Sequence, residues 1–195
     1  MSAWIVALVC VAALAQSLGK PPLPRVALET ELGEIVLEID TVRAPLTAAN
    51  FLKYVDAGLY DGGRFHRSVR TKPDNQPRND TKIDVIQAGA NPSRAMEYFL
   101  PIAHEPTSRT GLTHEGGTVS MARAQVNTAR DQFFICIGDQ PELDFGGKRN
   151  ADGQGFAAFG RVVGGMNIVR KIQASPASGQ SLTPPVRILR VRRLG

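Results

Sequence analysis

Cysteine is almost absent from this chain, with two residues in total among 195. Cys10 sits in an apolar N-terminal stretch, and Cys136 sits in Phe133-Phe134-Ile135-Cys136-Ile137. Removal of the first would leave one thiol, which excludes an internal disulfide; a lone Cys among apolar neighbours reads as a core thiol. Histidine is scarce as well, at three residues. His104-Glu105 lacks the second histidine of H-E-x-x-H, and there is no cysteine cluster, so neither a metal site nor a cofactor is expected. The G-x-S-x-G elbow and the P-loop are both missing. A nucleophilic triad is not excluded by these absences, but nothing in the sequence points to one.

Long hydrophobic runs are limited to one. Trp4 to Ala15 is apolar and uncharged, and Ala13-Leu14-Ala15 forms an A-x-A pattern before Gln16. This reads as a signal peptide over residues 1–15, then a linker over 16–25 and one domain over 26–195. No Lys or Arg precedes the run, so an uncleaved membrane anchor stays open, although the stretch is short for a permanent span. After removal of the leader no membrane association is expected, and the location is periplasmic or secreted.

The formal net charge is +5. The basic residues are spread along the chain, with a modest concentration at Arg187, Arg190, Arg192 and Arg193. These alternate loosely with Val186, Ile188, Leu189 and Val191, as on a strand with one solvated side, so nucleic acid is not an expected partner.

Nineteen glycines and thirteen prolines favour a β-rich fold with many turns. Val26–Glu29 and Ile35–Ile39 read as strands joined by a tight turn at Leu32-Gly33. Pro45 opens a helical pattern with Leu46, Ala49, Leu52 and Val55 on one stripe, and Gly58 stands where a left-handed cap is needed. Further strands are expected at Phe65–Val69, Ile83–Gln87, Thr118–Ala122, Gln132–Ile137, Ala157–Val163 and Val186–Val191. A second short helix carries Met166, Val169 and Ile172. Arg70–Lys82 and Gly146–Gly155 read as polar loops. Many short strands with two helices imply a helix-capped barrel or sandwich.

Arg67, Gln87 and Gln132 place long polar side chains on strands that also carry aromatics. They could build an apolar groove rich in donors, or simply the wet face of a strand. The segments around them resemble the cyclophilin family, Gln87 lying in I-Q-A-G. V-A-L-E-T-E-L-G-E-I-V-L-E, A-P-L-T-A-A-N-F-L, Y-D-G-G-R-F-H-R, G-T-V-S-M-A-R, N-T-A-R-D-Q-F-F-I-C and F-G-R-V-V-G-G-M occur in family order between about Val26 and Leu194. The resemblance implies a mainly β fold: a closed eight-stranded antiparallel barrel capped by two α-helices, with the site on its outer surface. It implies a peptidyl-prolyl cis/trans isomerase acting on proline-containing polypeptides, expected as a monomer. The family's catalytic arginine falls on Arg67 and its first glutamine on Gln87. Its substrate-binding positions fall on Val85, Ala122, Arg123, Gln132, Phe134, Leu143 and Phe156.

Several positions depart from the family pattern. Asp84-Val85 replaces an aromatic-methionine pair. Asp84 would impair activity if it pairs with Arg67, and would leave a shallower pocket if it faces solvent, which is the expected arrangement. Arg123 replaces an asparagine, and Phe156 stands where the family has a histidine. Glu142 replaces the tryptophan that in many members binds cyclosporin, so weak cyclosporin binding is expected. A non-catalytic peptide-binding module on the same fold and a barrel carrying a ligand in its lumen remain as alternatives.

Overall fold

The computed structural model describes residues 22–195. The expected leader, its cleavage point and most of the linker lie outside the described residues. Nine strands form one antiparallel sheet: β1 (Arg25–Thr30), β2 (Gly33–Ile39), β3 (Arg64–Val69), β4 (Val85–Gly89), β5 (Thr118–Met121), β6 (Phe133–Cys136), β7 (Ala157–Gly164), β8 (Ala177–Ser178) and β9 (Ser181–Leu194). The order around the sheet is β1-β2-β7-β5-β6-β4-β3-β9, and β9 pairs back onto β1. Eight strands therefore close a barrel, while β8 is a two-residue stub on β9. Closure leaves no long unpaired edge.

The alternating pattern of the first hairpin explains its placement. Ile35, Leu37 and Ile39 are fully buried, while Glu34, Val36 and Glu38 between them are not. The turn is closed by Thr30, whose Oγ1 donates to the Gly33 carbonyl at 2.7 Å. The barrel interior is occupied by Val26, Leu28, Phe65, Ile86, Val119, Phe133, Ile135 and Phe159, all fully buried. The ring of Phe51, from the first helix, lies 5.4 Å from Phe133 and 5.1 Å from Phe159. Interlocked rings of this kind fill the lumen of a small barrel with side chains, which removes support from the ligand-carrier alternative.

Helices α1 (Pro45–Asp56) and α3 (Met166–Gln173) cap the two ends. α1 meets the end where β2 finishes, and Ile168 of α3 packs against Gly33, where β2 begins. The apolar stripe of α1 is rotated from the expected one. Ala48, Phe51, Leu52 and Val55 are buried, whereas Leu46 and Ala49 face outward. The cause is at the helix start. Thr47 turns inward and gives both its backbone N–H and its hydroxyl to Glu105 Oε2, each at 2.7 Å. The buried carboxylate of Glu105 thereby satisfies donors that the first helical turn leaves free. At the other end Gly58 adopts φ +61°, as its sequence position required, and Leu59 N donates to the Tyr54 carbonyl.

The structure adds elements absent from the sequence reading. α2 is a single turn (Thr107–Thr110), and 3₁₀ turns occupy Pro92–Glu97 and Pro141–Leu143. β9 begins five residues earlier than expected, at Ser181, and includes Pro184 and Pro185. Both prolines lack the N–H that a strand needs, which is why the sequence pattern obscured this part. No helix among the described residues is long and apolar enough to cross a membrane.

Candidate active site

A backbone irregularity sets up the site. On β3, Phe65 points into the barrel, and strict alternation would send Arg67 inward too. The register slips between Phe65 and Arg67: Phe65 pairs with Ala88, but Arg67 pairs with Gln87. Such a bulge re-aims the next side chain. Arg67 thus joins Gln87 on the outer face. The same break appears toward β9, where Phe65 pairs with Val186 and Arg67 with Ser181. The extra residues on that side contain Pro184 and Pro185.

Arg67 is anchored through neutral oxygens. Its Nη1 donates to Gln87 Oε1 at 2.9 Å. Its Nε and Nη2 both donate to Gln180 Oε1, at 2.9 and 2.6 Å. Gln87 Nε2 continues the chain to Gln132 Oε1 at 2.6 Å. Burial lowers the Arg67 pKa from its usual value, because the charged form loses hydration. No carboxylate forms an ion pair with Arg67 among the described residues.

Beside this polar row lies a second apolar cluster, outside the barrel. Val69, Ile83, Val85, Phe134, Cys136 and Leu143 are buried together, with Ala122 and Phe156 against them. The register explains it. Gln87 pairs with Phe134, and Val85 with Cys136, so all four share the outer face. Leu143, on a 3₁₀ turn, roofs the cluster. Cys136 is the buried thiol expected from its neighbours, but it belongs to this outer cluster rather than to the lumen; burial pushes its pKa up.

The mouth of the cluster is a cavity of about 290 Å³. It is lined by Arg67, Val85, Gln87, Ala122, Arg123, Phe134, Leu143 and Phe156, together with Asn79, Ile83, Arg149 and Asn150. Eight of the nine residues singled out from the sequence therefore meet at one place. The ninth, Gln132, is exposed and joins through its bond to Gln87. Phe156 stands edge-on to Phe134, with centroids 5.2 Å apart. Arg123 is buried behind the Phe156 ring, pairs with Asp152 at 2.7 Å and donates to the Gly155 carbonyl. Gly155 has φ +60°, and a Cβ there would collide with the Asp144 backbone, so only glycine brings this loop so close.

Asp84 points away from Arg67. It is half-buried rather than solvent-facing, and it accepts from Thr71 N and Thr71 Oγ1 at 3.0 and 2.7 Å and from Gln173 Nε2 at 3.2 Å. Ile83, one residue earlier, supplies the apolar wall that Asp84 does not. The expectation of a solvent-facing Asp84 is corrected in this respect: its carboxylate is taken up by Thr71 of the 70–82 loop and by Gln173 of α3.

Sequence reasoning missed Gln180, Asn79 and Arg149. Gln180 is a polar residue in a Gly-Gln-Ser turn, with no strand pattern to mark it. The long 70–82 loop supplies its support: Gln180 Nε2 donates to the Asn75 carbonyl at 3.1 Å. It also missed a hydrogen-bonded row behind the pocket. His114 Nδ1 is 2.7 Å from Asp144 Oδ1, and His114 Nε2 is 2.9 Å from Ser120 Oγ. Ser120 and His114 are both buried, and the imidazole is stacked on Phe134 at 5.9 Å. A serine with no solvent access cannot attack a substrate, so this row serves to hold Phe134 from behind. Among the described residues no cluster of His, Cys, Asp or Glu could hold a metal ion.

Comparison with known proteins bears on the family and the fold. A model of the cyclophilin type peptidyl-prolyl cis-trans isomerase/CLD family matches residues 25–193. The chain is 37% identical over 150 residues to peptidyl-prolyl cis-trans isomerase cyp18 of Streptomyces antibioticus, covering 76% of this chain and 82% of that one. It is 34% identical over 159 residues to peptidyl-prolyl cis-trans isomerase B of Escherichia coli, covering 80% and 87%. A crystal structure of a Cryptosporidium parvum cyclophilin type isomerase superimposes with a TM-score of 0.67 at 19% identity, covering 89% and 98%. A closed eight-stranded barrel with capping helices, a family match over nearly all its length and relatives above 30% identity lead to one conclusion: this chain belongs to the cyclophilin-type peptidyl-prolyl cis-trans isomerases.

Proposed function

We propose that Arg67 is the group through which this isomerase accelerates rotation of X–Pro bonds, without any covalent intermediate. The X–Pro amide resists rotation because resonance gives its C–N bond double-bond character, with a barrier of about 18–20 kcal/mol. Catalysis requires a site that prefers the twisted amide to both planar forms. Twisting ends the conjugation and returns a lone pair to the proline nitrogen. That nitrogen then accepts a hydrogen bond, which it does not do when planar. A guanidinium is a permanently charged donor, so its bond to the nitrogen exists chiefly in the transition state.

The cavity supports this reading by its division of labour. Phe134, Leu143, Val85 and Ile83 offer an apolar seat to a pyrrolidine ring, with Ala122 and Phe156 at its sides. Arg67 stands at its edge, immobilised by Gln87 and Gln180. The bonded amides of Gln87 and Gln132 beside the seat support a role in binding the backbone beyond the proline. An apolar seat also strips water from the planar amide, whose charge separation is larger than that of the twisted form. A rate gain of about 10⁵ requires roughly 7 kcal/mol of differential stabilisation. One of the solved structures with this fold, from Cryptosporidium parvum, was obtained in the presence of the dipeptide Ala-Pro (TM-score 0.65). The carrying observation is the fixed guanidinium beside a cavity with one apolar wall, made by Ile83, Val85, Phe134 and Leu143. The apolar run Trp4–Ala15 supports action on exported chains, and Glu142 in place of an aromatic residue supports weak cyclosporin binding.

The test is prolyl exchange in an Ala-Pro-Phe peptide, followed by NMR with wild type and Arg67→Ala. Fast exchange that largely disappears in the variant is the expected result. Absence of acceleration by folded wild type would leave peptide binding as the function of the fold.

A further inference from the structure

The two polar loops, 70–82 and 146–155, meet over the proline cavity. Arg149, from the 146–155 loop, reaches across to the 70–82 loop. Its Nη1 donates to Gln76 Oε1 at 3.0 Å and to the Thr81 carbonyl at 2.6 Å. Gln76 is itself buried, held by Arg70 and Ile83 backbone groups. Arg149 is thereby fixed at the cavity wall, half-buried, flanked by Asn79 and Asn150.

The charge balance there is unusual. Three arginines line the cavity and, among the described residues, no acidic one does. Arg123 is neutralised by Asp152. Arg67 and Arg149 bond only to amide and carbonyl oxygens, and neither has an ion-pair partner among the described residues. The nearby carboxylates are engaged elsewhere: Asp84 with Thr71 and Gln173, Asp74 with Lys82, Asp144 with His114, and Glu142 with the Lys148 backbone. Burial lowers the pKa of Arg149, and the unpaired Arg67 guanidinium nearby adds to the effect. Like charges in a confined space raise the energy of the empty site, and an entering anion relieves this.

We propose that Arg149 selects substrates carrying a carboxylate next to the proline, so that this isomerase prefers X–Pro segments with Asp or Glu flanking the bond. The inference rests on the isomerase reading above and names its substrate class. Proline itself carries no charge and would leave Arg149 unpaired. A carboxylate on an adjacent residue would meet a donor whose remaining N–H groups have no partner among the described residues. The two polar loops then have one joint purpose: they hold a second guanidinium over the site at a fixed place.

The test uses four peptides, Ala-Glu-Pro-Phe and Ala-Gln-Pro-Phe, and Ala-Ala-Pro-Glu and Ala-Ala-Pro-Gln with amidated ends. Exchange is measured for wild type, Arg149→Gln and Arg149→Lys. The readout is the ratio of kcat/KM for each Glu peptide over its Gln partner. In wild type at low salt at least one ratio is about fivefold, the size expected for a partly screened ion pair. It falls to about one in Arg149→Gln, stays above one in Arg149→Lys, and shrinks as salt is added. Ratios near one in wild type, or a ratio unchanged in Arg149→Gln while both rates drop, would overturn the inference and leave Arg149 as a loop latch. Catalysis of the Gln peptides without discrimination removes only this inference. Failure to accelerate any peptide removes the isomerase reading as well.

Discussion

Arg67 and Gln180 meet in a two-to-one contact: Nε and Nη2 of the guanidinium converge on the single oxygen Oε1, at 2.9 and 2.6 Å. The amide is in turn fixed by the Asn75 carbonyl, so its orientation is set. A fork held on one edge presents its other edge in a defined direction, which is what a donor to a transient lone pair needs.

Gln180→Ala is therefore expected to lower kcat about tenfold, the equivalent of ~1.4 kcal/mol of transition-state stabilisation. KM should change little, because Gln180 does not line the cavity. Peptide exchange kinetics separate the two. A variant with unchanged kcat would show that Gln87 alone orients the guanidinium.

Asp84 accepts three hydrogen bonds that tie the 70–82 loop and α3 to the start of β4. Asp84→Ala should destabilise the fold by about 2 kcal/mol, since partly buried donors lose their acceptor. Activity of the folded fraction should remain within about twofold, because the carboxylate faces away from Arg67. Urea denaturation alongside exchange kinetics checks both; a large rise in activity would revive the idea of an inhibitory pair.

The Asp144–His114–Ser120 row has the hydrogen-bond pattern of a hydrolase and the accessibility of a core. A fluorophosphonate probe should leave native Ser120 unlabelled. His114→Ala should destabilise by about 2–3 kcal/mol through buried polar groups left without partners. It should also weaken peptide binding by loosening Phe134, against which the imidazole stacks. Labelling of Ser120 in the native state, read by peptide mass spectrometry, would contradict this account.

Cys136 should resist thiol reagents in the folded protein. Its pKa is pushed up by burial, with Asp144 and Asp139 adding to the effect, and the thiolate is the reactive form. Modification by a disulfide reagent should run at the rate of local opening and rise sharply in denaturant. Rapid labelling in native buffer would mean that the outer apolar cluster opens far more readily than its packing implies.

The pH dependence separates chemistry from stability. Burial lowers the Arg67 pKa, yet a guanidinium starts so high that it stays charged, and kcat should be flat between about pH 6 and about pH 9. His66, next in sequence, has its pKa lowered chiefly by burial. A lowered imidazole pKa means that the folded state favours the neutral ring. Its contribution is complete above the ordinary imidazole range and is lost as pH falls from there toward the folded-state pKa. Thermal melts from pH 7 down to about 5 should show falling stability with kcat per folded molecule unchanged.

What the sequence determined by itself was the local periodicity and the ordered blocks. Ile35, Leu37 and Ile39 alternate because one face of β2 is lumen and the other is not. Gly58 was readable because a left-handed cap tolerates few other residues. The family resemblance brought Arg67, Gln87, Phe134 and Leu143 together on paper, and those residues do line one cavity. Tertiary structure decided the rest, for reasons that no local pattern carries. The bulge that turns Arg67 outward exists because β3 pairs with β4 and with a proline-broken β9 at once. The stripe of α1 rotated because Glu105, 58 residues further along the chain, captures Thr47. Gln180 and Arg149 acquired their places through hydrogen bonds to loops 105 and 73 residues away. Periodicity reports which face of an element is buried, whereas the partner of a polar side chain is set by which distant segments the closed barrel brings within about 3 Å of it.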